Sequence, residues 1–434
     1  MFNILHPFLR ARNARFANNS FYFAQARFCI WYTRYMPMKH IALGMELADY
    51  YDHGIARGII RYAKGRPDWQ LYGHGWMFSP LDDLAHWTGD GVIARIEYAS
   101  EAEVASRLEC PVVDVANTFP IPDVNIVSNG DMETGRLAGR HFRANGFNDF
   151  AFCGVAPAEW SRLRLEGFRE AVETHEVPVF ERPLEWWLEE TYSVELALFL
   201  TRLPKPVAIF TCNDKTGLRV SSTCFTEGIR VPEQVAILGV DNEDIPCELA
   251  NPSLSSIALQ LEKIGATAAA KLDGLLGGNG GGFFRDAPPS SPRSASLHLH
   301  SSDPDPVAIP PLEVVERRST STYASSNPLV MEVSRLIRGE NGHLREVDDL
   351  VEELSVSRRT LESQFKQETG RTLHDAITLQ RIHVATRLLR TTNSKLDTIA
   401  QESGFGSVQR FFAHFKRHTG TTPNRFRLRM PPTM

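Results

Sequence analysis

The run Ile399–Lys416, IAQESGFGSVQRFFAHFK, holds two helical stripes separated by glycine. Leu396, Ile399 and Ala400 fall on one face of a first helix, Gly404-Phe405 makes a turn, and Phe411 and Phe415 line a second. Ala400 and Gly404 are small enough to let the two helices approach. The same design occurs once more upstream. Leu350, Val351 and Leu354 mark a helix over 347–354, Ser355-Val356-Ser357 a turn, and Leu361 and Phe365 the buried face of a helix beginning near Arg358. A long helix from Leu373 to about Thr391, striped by Ile377, Ile382, Ala385, Leu388 and Leu389, joins the two units, and a short helix over Pro328–Arg338 precedes them. Two helix-turn-helix units on a rigid connector can address successive faces of a duplex. In the first unit Val351 and Ser355 stand where the second has Ala400 and Gly404, which predicts a looser or re-angled pair of helices.

Charge divides at the same place. Residues 327–434 carry 17 Lys+Arg against 12 Asp+Glu, and the rest of the 434-residue chain 30 against 40. A basic module on an acidic body is the asymmetry expected when one part meets phosphate and the other does not.

The body reads as alternating strands and helices. His40–Met45, Trp69–Tyr72, Gly91–Ile96 and Pro111–Val115 are strands, with a helix marked by Ile55, Ile59, Ile60 and Ala63 after the first. The pattern resumes with strands Phe150–Gly154, Val207–Cys212 and Val235–Val240 and helices over 162–174 and up to Glu227. Such alternation predicts β-α-β units and parallel sheets. Two such halves predict an α/β, two-lobed body ahead of the all-α double helix-turn-helix domain. Ligands of open parallel sheets sit beyond the carboxyl ends of the strands. There the chain places Asp52, Asn213-Asp214 and Asp241-Asn242, and Trp160 and Arg164 lie at a helix start after a strand exit. Asp214 reads as the cap of its helix.

The domain plan follows. Residues 1–37 have five arginines, many aromatics and no acid. They have a transit-peptide look, but they read better as an extension ahead of a true start at Met36 or Met38. The effector body spans 38–320 and contains a Gly/Ser/Pro-rich segment, about 277–306, too poor in apolar residues to build a core. Arg317 to Asn327 is a polar hinge, assigned 321–327 as a segment of its own, and the helical domain fills 328–434. The six cysteines include no C-x-x-C and read as reduced thiols of a cytoplasmic protein. No apolar run is long enough to cross a bilayer. His298 and His300 make no metal site, the glycine run at 277–282 is no phosphate loop, and no nucleophile–base cluster stands out. No cofactor, metal or enzymatic activity is expected.

Resemblance sharpens this reading. Leu361-x3-Phe365-Lys366-x3-Gly370, Arg381-x3-Ala385-x2-Leu388-Leu389, Ile399-Ala400-x3-Gly404-Phe405 and Phe412-x2-Phe415-Lys416-x3-Gly420-x2-Pro423-x3-Arg427 resemble the arabinose-regulator (AraC/XylS) family over about 100 residues. Ser355 departs from its usual turn glycine. Asn213-Asp214, Gly228–Glu233, Val235–Asp241, Leu254-Ser255-Ser256 and Glu313–Thr320 resemble the effector domain of lactose/galactose-type repressors, a periplasmic-binding-protein fold. The combination implies a sugar-responsive transcriptional activator acting on double-stranded operator DNA. It implies a pentose effector, D-xylose foremost, a homodimer that meets RNA polymerase, and a nucleoid-associated location.

Arg358, Arg359 and Glu362 face away from the first buried stripe, as do Ser407, Gln409 and Arg410 in the second unit. Arg, Gln and Ser can read base edges in a major groove. Lys416, Arg417 and Arg381 are candidates for phosphate, although Arg381 serves as well as a structural ion-pair partner. For the effector, Asp52, Trp160, Arg164, Asn213 and Asp241 combine hydroxyl-binding groups with an aromatic face. Each also has an ordinary role open to it, as a turn cap, a half-buried ring or a solvated charge. Another sugar, a sugar acid, or a body that is only an assembly platform stay open as alternatives. A sugar-processing enzyme with a regulatory tail is disfavoured.

Overall fold

The computed structural model describes residues 38–74, 81, 84–119, 121–122, 124–188, 193–277, 306–321, 323, 325, 327–338, 346–419 and 421–429. The expected N-terminal extension, the glycine-rich segment and its histidines lie outside them. No helix among the described residues is long and apolar enough to cross a membrane.

The body holds strands β1 Lys39–Gly44, β2 Trp69–His74, β3 Gly91–Ala94, β4 Val112–Asp114, β5 Asn125–Asn129, β6 Phe150–Val155, β7 Val179–Arg182, β8 Val207–Thr211, β9 Val235–Asp241, β10 Ser255–Ala258, β11 Val307–Ile309 and β12 Val314–Val315. Its helices are α1 Tyr50–Ala63, α2 Ala99–Arg107, α3 Asp131–Ala144, α4 Glu159–Val172, α5 Leu184–Leu188, α6 Val194–Arg202, α7 Asp214–Thr226, α8 Asp244–Leu249 and α9 Leu261–Leu275. Two six-stranded sheets form, ordered β11-β5-β4-β3-β1-β2 and β12-β10-β9-β8-β6-β7. All pairs are parallel except β10 with β12. The near-continuous apolar strands, such as Val235–Val240, are buried on both faces, as parallel sheets covered by helices require.

The chain crosses between lobes three times. β5 leaves the first sheet for α3 on the second lobe, β10 leaves the second for α9 on the first, and β11 and β12 end in different sheets. Adjacent in sequence, those last two strands give no sign of parting.

Each lobe has one helix pair in backbone contact. A Cβ on Gly58 would lie 2.0 Å from the Glu262 carbonyl, and one on Gly265 1.9 Å from that of Ile55, so α1 and α9 touch only because neither position has a side chain. Gly135 and Gly167 do the same for α3 and α4, against Arg164 and Met132. Ile60, expected on the buried face of α1, is 43% exposed. Ile55 and Ile59 are buried, and the step from Ile59 to Ile60 turns the side chain away.

The C-terminal part is helical: α10 Pro328–Arg338, α11 Val347–Leu354, α12 Arg358–Thr369, α13 Leu373–Thr391, α14 Leu396–Glu402, α15 Val408–Thr419 and α16 Pro423–Arg429. Two cores form. Val330, Val333, Leu350, Leu361 and Phe365 fill the first, and Ile399, Ala400, Phe405, Phe411 and Phe415 the second. The connector α13 serves both, giving Leu373, Ala376 and Ile377 to the first and Ile382, Ala385 and Leu389 to the second. Ser357 and Thr372 cap α12 and α13, accepting from the Thr360 and Asp375 amides at 3.1 Å each.

The polar stretch opening the expected hinge is not free. Arg318–Thr320 form a 3-10 turn with Ser319 and Thr320 fully buried. Ser319 takes the Ser255 amide at 2.8 Å and donates to the Ile237 carbonyl, and Thr320 and Ser255 share a hydroxyl bond of 2.7 Å. Hydroxyls there are structural bonds to β9 and β10, which composition alone cannot distinguish from a solvated linker.

Candidate functional site

Between the lobes lies a cavity of about 370 Å³, counting its open mouth, lined by Tyr51, Arg95, Glu97, Ala116, Asn129, Trp160, Arg164, Asn213 and Asp241. The first five come from the first lobe, at the start of α1 and after β3, β4 and β5. The other four come from the second, after β6, β8 and β9. The carboxyl edges of both sheets thus converge on one space.

Buried acids shape those strand exits. Asp114 accepts from the Ile96, Ala116 and Asn117 amides at 2.9–3.1 Å, turning the chain after β3 and β4 so that Glu97 and Ala116 face the cavity. Burial raises its pKa to about 6, against those three bonds. Asp131, at the head of α3, holds Arg164 at 2.8 Å, and Arg164 also donates to the Cys212 carbonyl. The Arg164 guanidinium lies 5.0 Å from the centre of the Trp160 ring. Opposite, Arg95 lies 4.8 Å from the centre of the Tyr51 ring, and the Tyr51 hydroxyl accepts from Asn129 at 2.6 Å. Arg95 is bound by Glu97 at 2.7 Å, Asp49 at 3.1 Å and Asp52 at 3.3 Å.

Asp241 ends β9 with φ 104 and Asn242 follows with φ 54, both in the left-handed region that side chains avoid. Burial holds Asp241 above the usual carboxylate range, although Arg164, Arg95 and Lys215 pull it down. Its neighbour Asp214 is raised too, by its own burial and then by the Asp241 charge. Two buried acceptors, Oδ1 of the cavity-lining Asn129 and Oδ2 of Asp131 behind Arg164, have no hydrogen-bond partner among the described residues. A hydroxyl-rich molecule would supply what they lack. An ion pair joins the two lobes: Lys215 of α7 meets Asp49, the cap of α1, at 2.7 Å.

Four of the five residues expected at the effector site thus line one cavity. Asp52 does not. Fully buried, it accepts the Glu46 amide at 2.6 Å and backs Arg95 from behind the wall, burial raising it to about 7. The cap of α7 is Asn213, accepting from Thr216 at 2.8 Å, and not Asp214. A cap must be extended, as Asn213 is, whereas Asp214 is already helical and accepts the Glu243 amide. Sequence reasoning missed Tyr51, Arg95, Glu97 and Asn129. Arg95 was within reach of the strand-exit rule, since it follows β3 directly. Asn129 ends a strand too polar to recognise.

On the helical domain, Arg359, Gln409, Arg410, Lys416 and Arg417 are exposed, and none has a side-chain partner among the described residues. Arg358 is exposed too but paired with Glu362 and Asp348, each at 2.9 Å. Ser407 is only half-buried, and its hydroxyl accepts the Arg410 amide at 3.3 Å, the task of a helix cap rather than of a base reader. Arg381 corrects the phosphate assignment. Its side chain is 12% exposed and bound to Glu346, ahead of α11, so its charge is spent inside the first unit.

Comparison with known proteins follows the same division. Residues 40–126 match the family described as XylR N-terminal domain, 140–290 the periplasmic binding protein-like domain, and 350–429 a helix-turn-helix domain. The xylose operon regulatory protein of Escherichia coli (strain K12) is 27% identical over 391 residues, covering 87% of this chain and 94% of that protein. That of Haemophilus influenzae is 27% identical over 401 residues, 89% and 98% of the two chains. A solved structure described as a xylose-binding transcription activator superposes with a TM-score of 0.59 at 25% identity, covering 91% of this chain and 99% of the other.

Proposed function

We propose that this chain, similar to xylose operon regulatory proteins along nearly nine-tenths of its length, is a transcriptional regulator that binds a pentose in the inter-lobe cavity and operator DNA through its C-terminal helices. The observation that carries the proposal is the cavity. Amide, carboxylate and guanidinium groups from both lobes meet there beside two aromatic rings, the mixture that binds sugar hydroxyls in pairs and covers a ring's C–H face. A neutral sugar fits better than a sugar acid. Arg164 already answers Asp131, and Arg95 answers three acids, so no uncommitted cation among the described residues lines the space. D-xylose is the effector this reading names.

Binding across both lobes favours their closed arrangement, and sugar shifts the equilibrium only by its differential affinity for the two states. Arg359, Gln409 and Arg410 are the base-reading candidates and Lys416 and Arg417 the phosphate contacts. Arg358 and Glu362 join them once their surface pair opens. A cytoplasmic, nucleoid-associated homodimer acting through RNA polymerase, with no catalysis of its own, completes the proposal. Calorimetry of the full chain with D-xylose, other pentoses and sugar acids tests it. D-xylose should bind, and Asp241→Asn or Arg164→Gln should weaken it by about 2–3 kcal/mol with circular dichroism unchanged. Tighter binding of a sugar acid, or unchanged affinity in both variants, overturns the assignment.

A further inference from the structure

The string Glu313–Thr320 stood out in the sequence, yet none of it reaches the cavity. It ends the third crossover and leads into α10 at Pro328. Its end is bonded to β9 and β10 through the buried hydroxyls of Ser319 and Thr320, and Val314–Val315 pair with β10. One side chain reaches further. Arg317 donates to Asn242 Oδ1 at 2.9 Å and to the Leu254 carbonyl at 3.0 Å and pairs with Glu248 at 3.6 Å, while its own amide is held by Ser255 at 2.8 Å. Asn242 is the residue after Asp241, which lines the cavity. Both sit at positive φ, and the Asn242 amide is fixed by Ser256 at 3.0 Å.

We infer that Arg317 is the coupling residue through which a shift of the cavity-lining Asp241, passed on by Asn242, which itself lies outside the cavity lining, sets the path of the chain into the DNA-binding helices. The inference rests on the pentose reading above and goes beyond it. A turn of two left-handed, non-glycine residues persists only because its surroundings hold it, so it is the element near the cavity with the most to gain from a second arrangement. A sugar drawing on the Asp241 carboxylate acts on that turn. Arg317 is the cation that joins the turn to the outgoing segment. Its forked guanidinium binds a side chain and a backbone carbonyl at once, so the turn cannot move independently of the segment while both bonds last. Coupling through a contact of this kind is a free energy shared by both sites, and it disappears with the contact even when each site still works.

The test uses the full chain, D-xylose as the ligand, and a duplex recovered from a random-sequence library by selection on the wild-type chain. Arg317→Ala removes both bonds and the ion pair with Glu248. Asn242→Gly removes only the acceptor and suits the positive φ, which keeps the test decisive if Arg317→Ala folds poorly. In the wild type, D-xylose should change duplex affinity by roughly 5- to 150-fold, the usual range for coupled sites. In both variants D-xylose affinity and thermal stability should stay close to wild type while that change falls to about unity, and Arg317→Lys should restore part of it. Variants that keep the full sugar-dependent change overturn the inference and leave the pentose reading standing. So do variants that lose sugar affinity itself, since Arg317 would then serve binding. A wild-type chain that binds the duplex but ignores D-xylose overturns both.

Discussion

The two helix-turn-helix units are copies in plan and opposites in charge. Helices α11 and α12 carry three Lys+Arg against six Asp+Glu, and α14 and α15 carry three against two. In the first unit Arg358 is bound to two of those acids. In the second, Arg410, Lys416 and Arg417 have no side-chain partner among the described residues and lie on a helix without an acid. The turns differ as well. Ser355 is forced to φ 52, whereas the second unit has Gly404 and Gly406 at φ 73 and 65, with one residue more before its capping serine. Equal cores with unequal surfaces teach that folding and DNA binding were set separately here. On the proposed reading the second unit supplies the larger share of phosphate attraction, while the first is anchored by α10, α13 and the Arg381–Glu346 pair.

The largest effect tests whether the cores are separate. Phe365→Ala and Phe415→Ala should each cost about 3–5 kcal/mol, confined to its own unit. Amide hydrogen exchange should show α14 and α15 deprotected in Phe415→Ala while α11 and α12 hold. Loss of both units in either variant would make the domain one cooperative body.

Base reading comes next. Arg410→Ala should relax preference at one operator position by about 1–3 kcal/mol, and Arg359→Ala at another about one helical turn away. Affinities across single-base operator variants check this. A uniform loss from Arg410→Ala would move it to the phosphate contacts.

A smaller effect separates the two basic surfaces. Lys416→Ala should weaken all sequences alike and reduce the salt slope by about one, while Lys366→Ala, on a helix with Glu362 and Glu368, should change it less. Equal slopes at two salt concentrations would erase the charge contrast.

The smallest concerns the turns. Ser355→Gly should stabilise the first unit by about 1 kcal/mol, because glycine accepts the left-handed turn without the Cβ penalty. Thermal melts of Ser355→Gly would show it, and no gain would mean that the serine's own bonds offset the strain.

Six of the seven described helices of the C-terminal part were legible, because each buries one stripe and its period shows in the chain, Leu361 with Phe365 and Phe411 with Phe415; α16, Pro423–Arg429, was not. Strands such as Val235–Val240 were legible for the same reason. β5, Asn125–Asn129, was not, since its polar residues serve the cavity rather than the core. The pairing of Asp49 with Lys215, 166 positions apart, carries no local signature at all.

The sequence by itself determined the two-part architecture, the polarity of its charge and the residue types available at strand ends, because these follow from periodicity and composition. Only the tertiary structure decided which of those residues share a cavity. It put Asp52 behind the wall and Arg95 in it, turned Arg381 from phosphate to Glu346, and bonded Arg317 to Asn242. Each of these outcomes depends on how two sheets crossed three times by the chain bring distant strand ends within a few ångströms. That is a long-range geometry which no stretch of local sequence encodes.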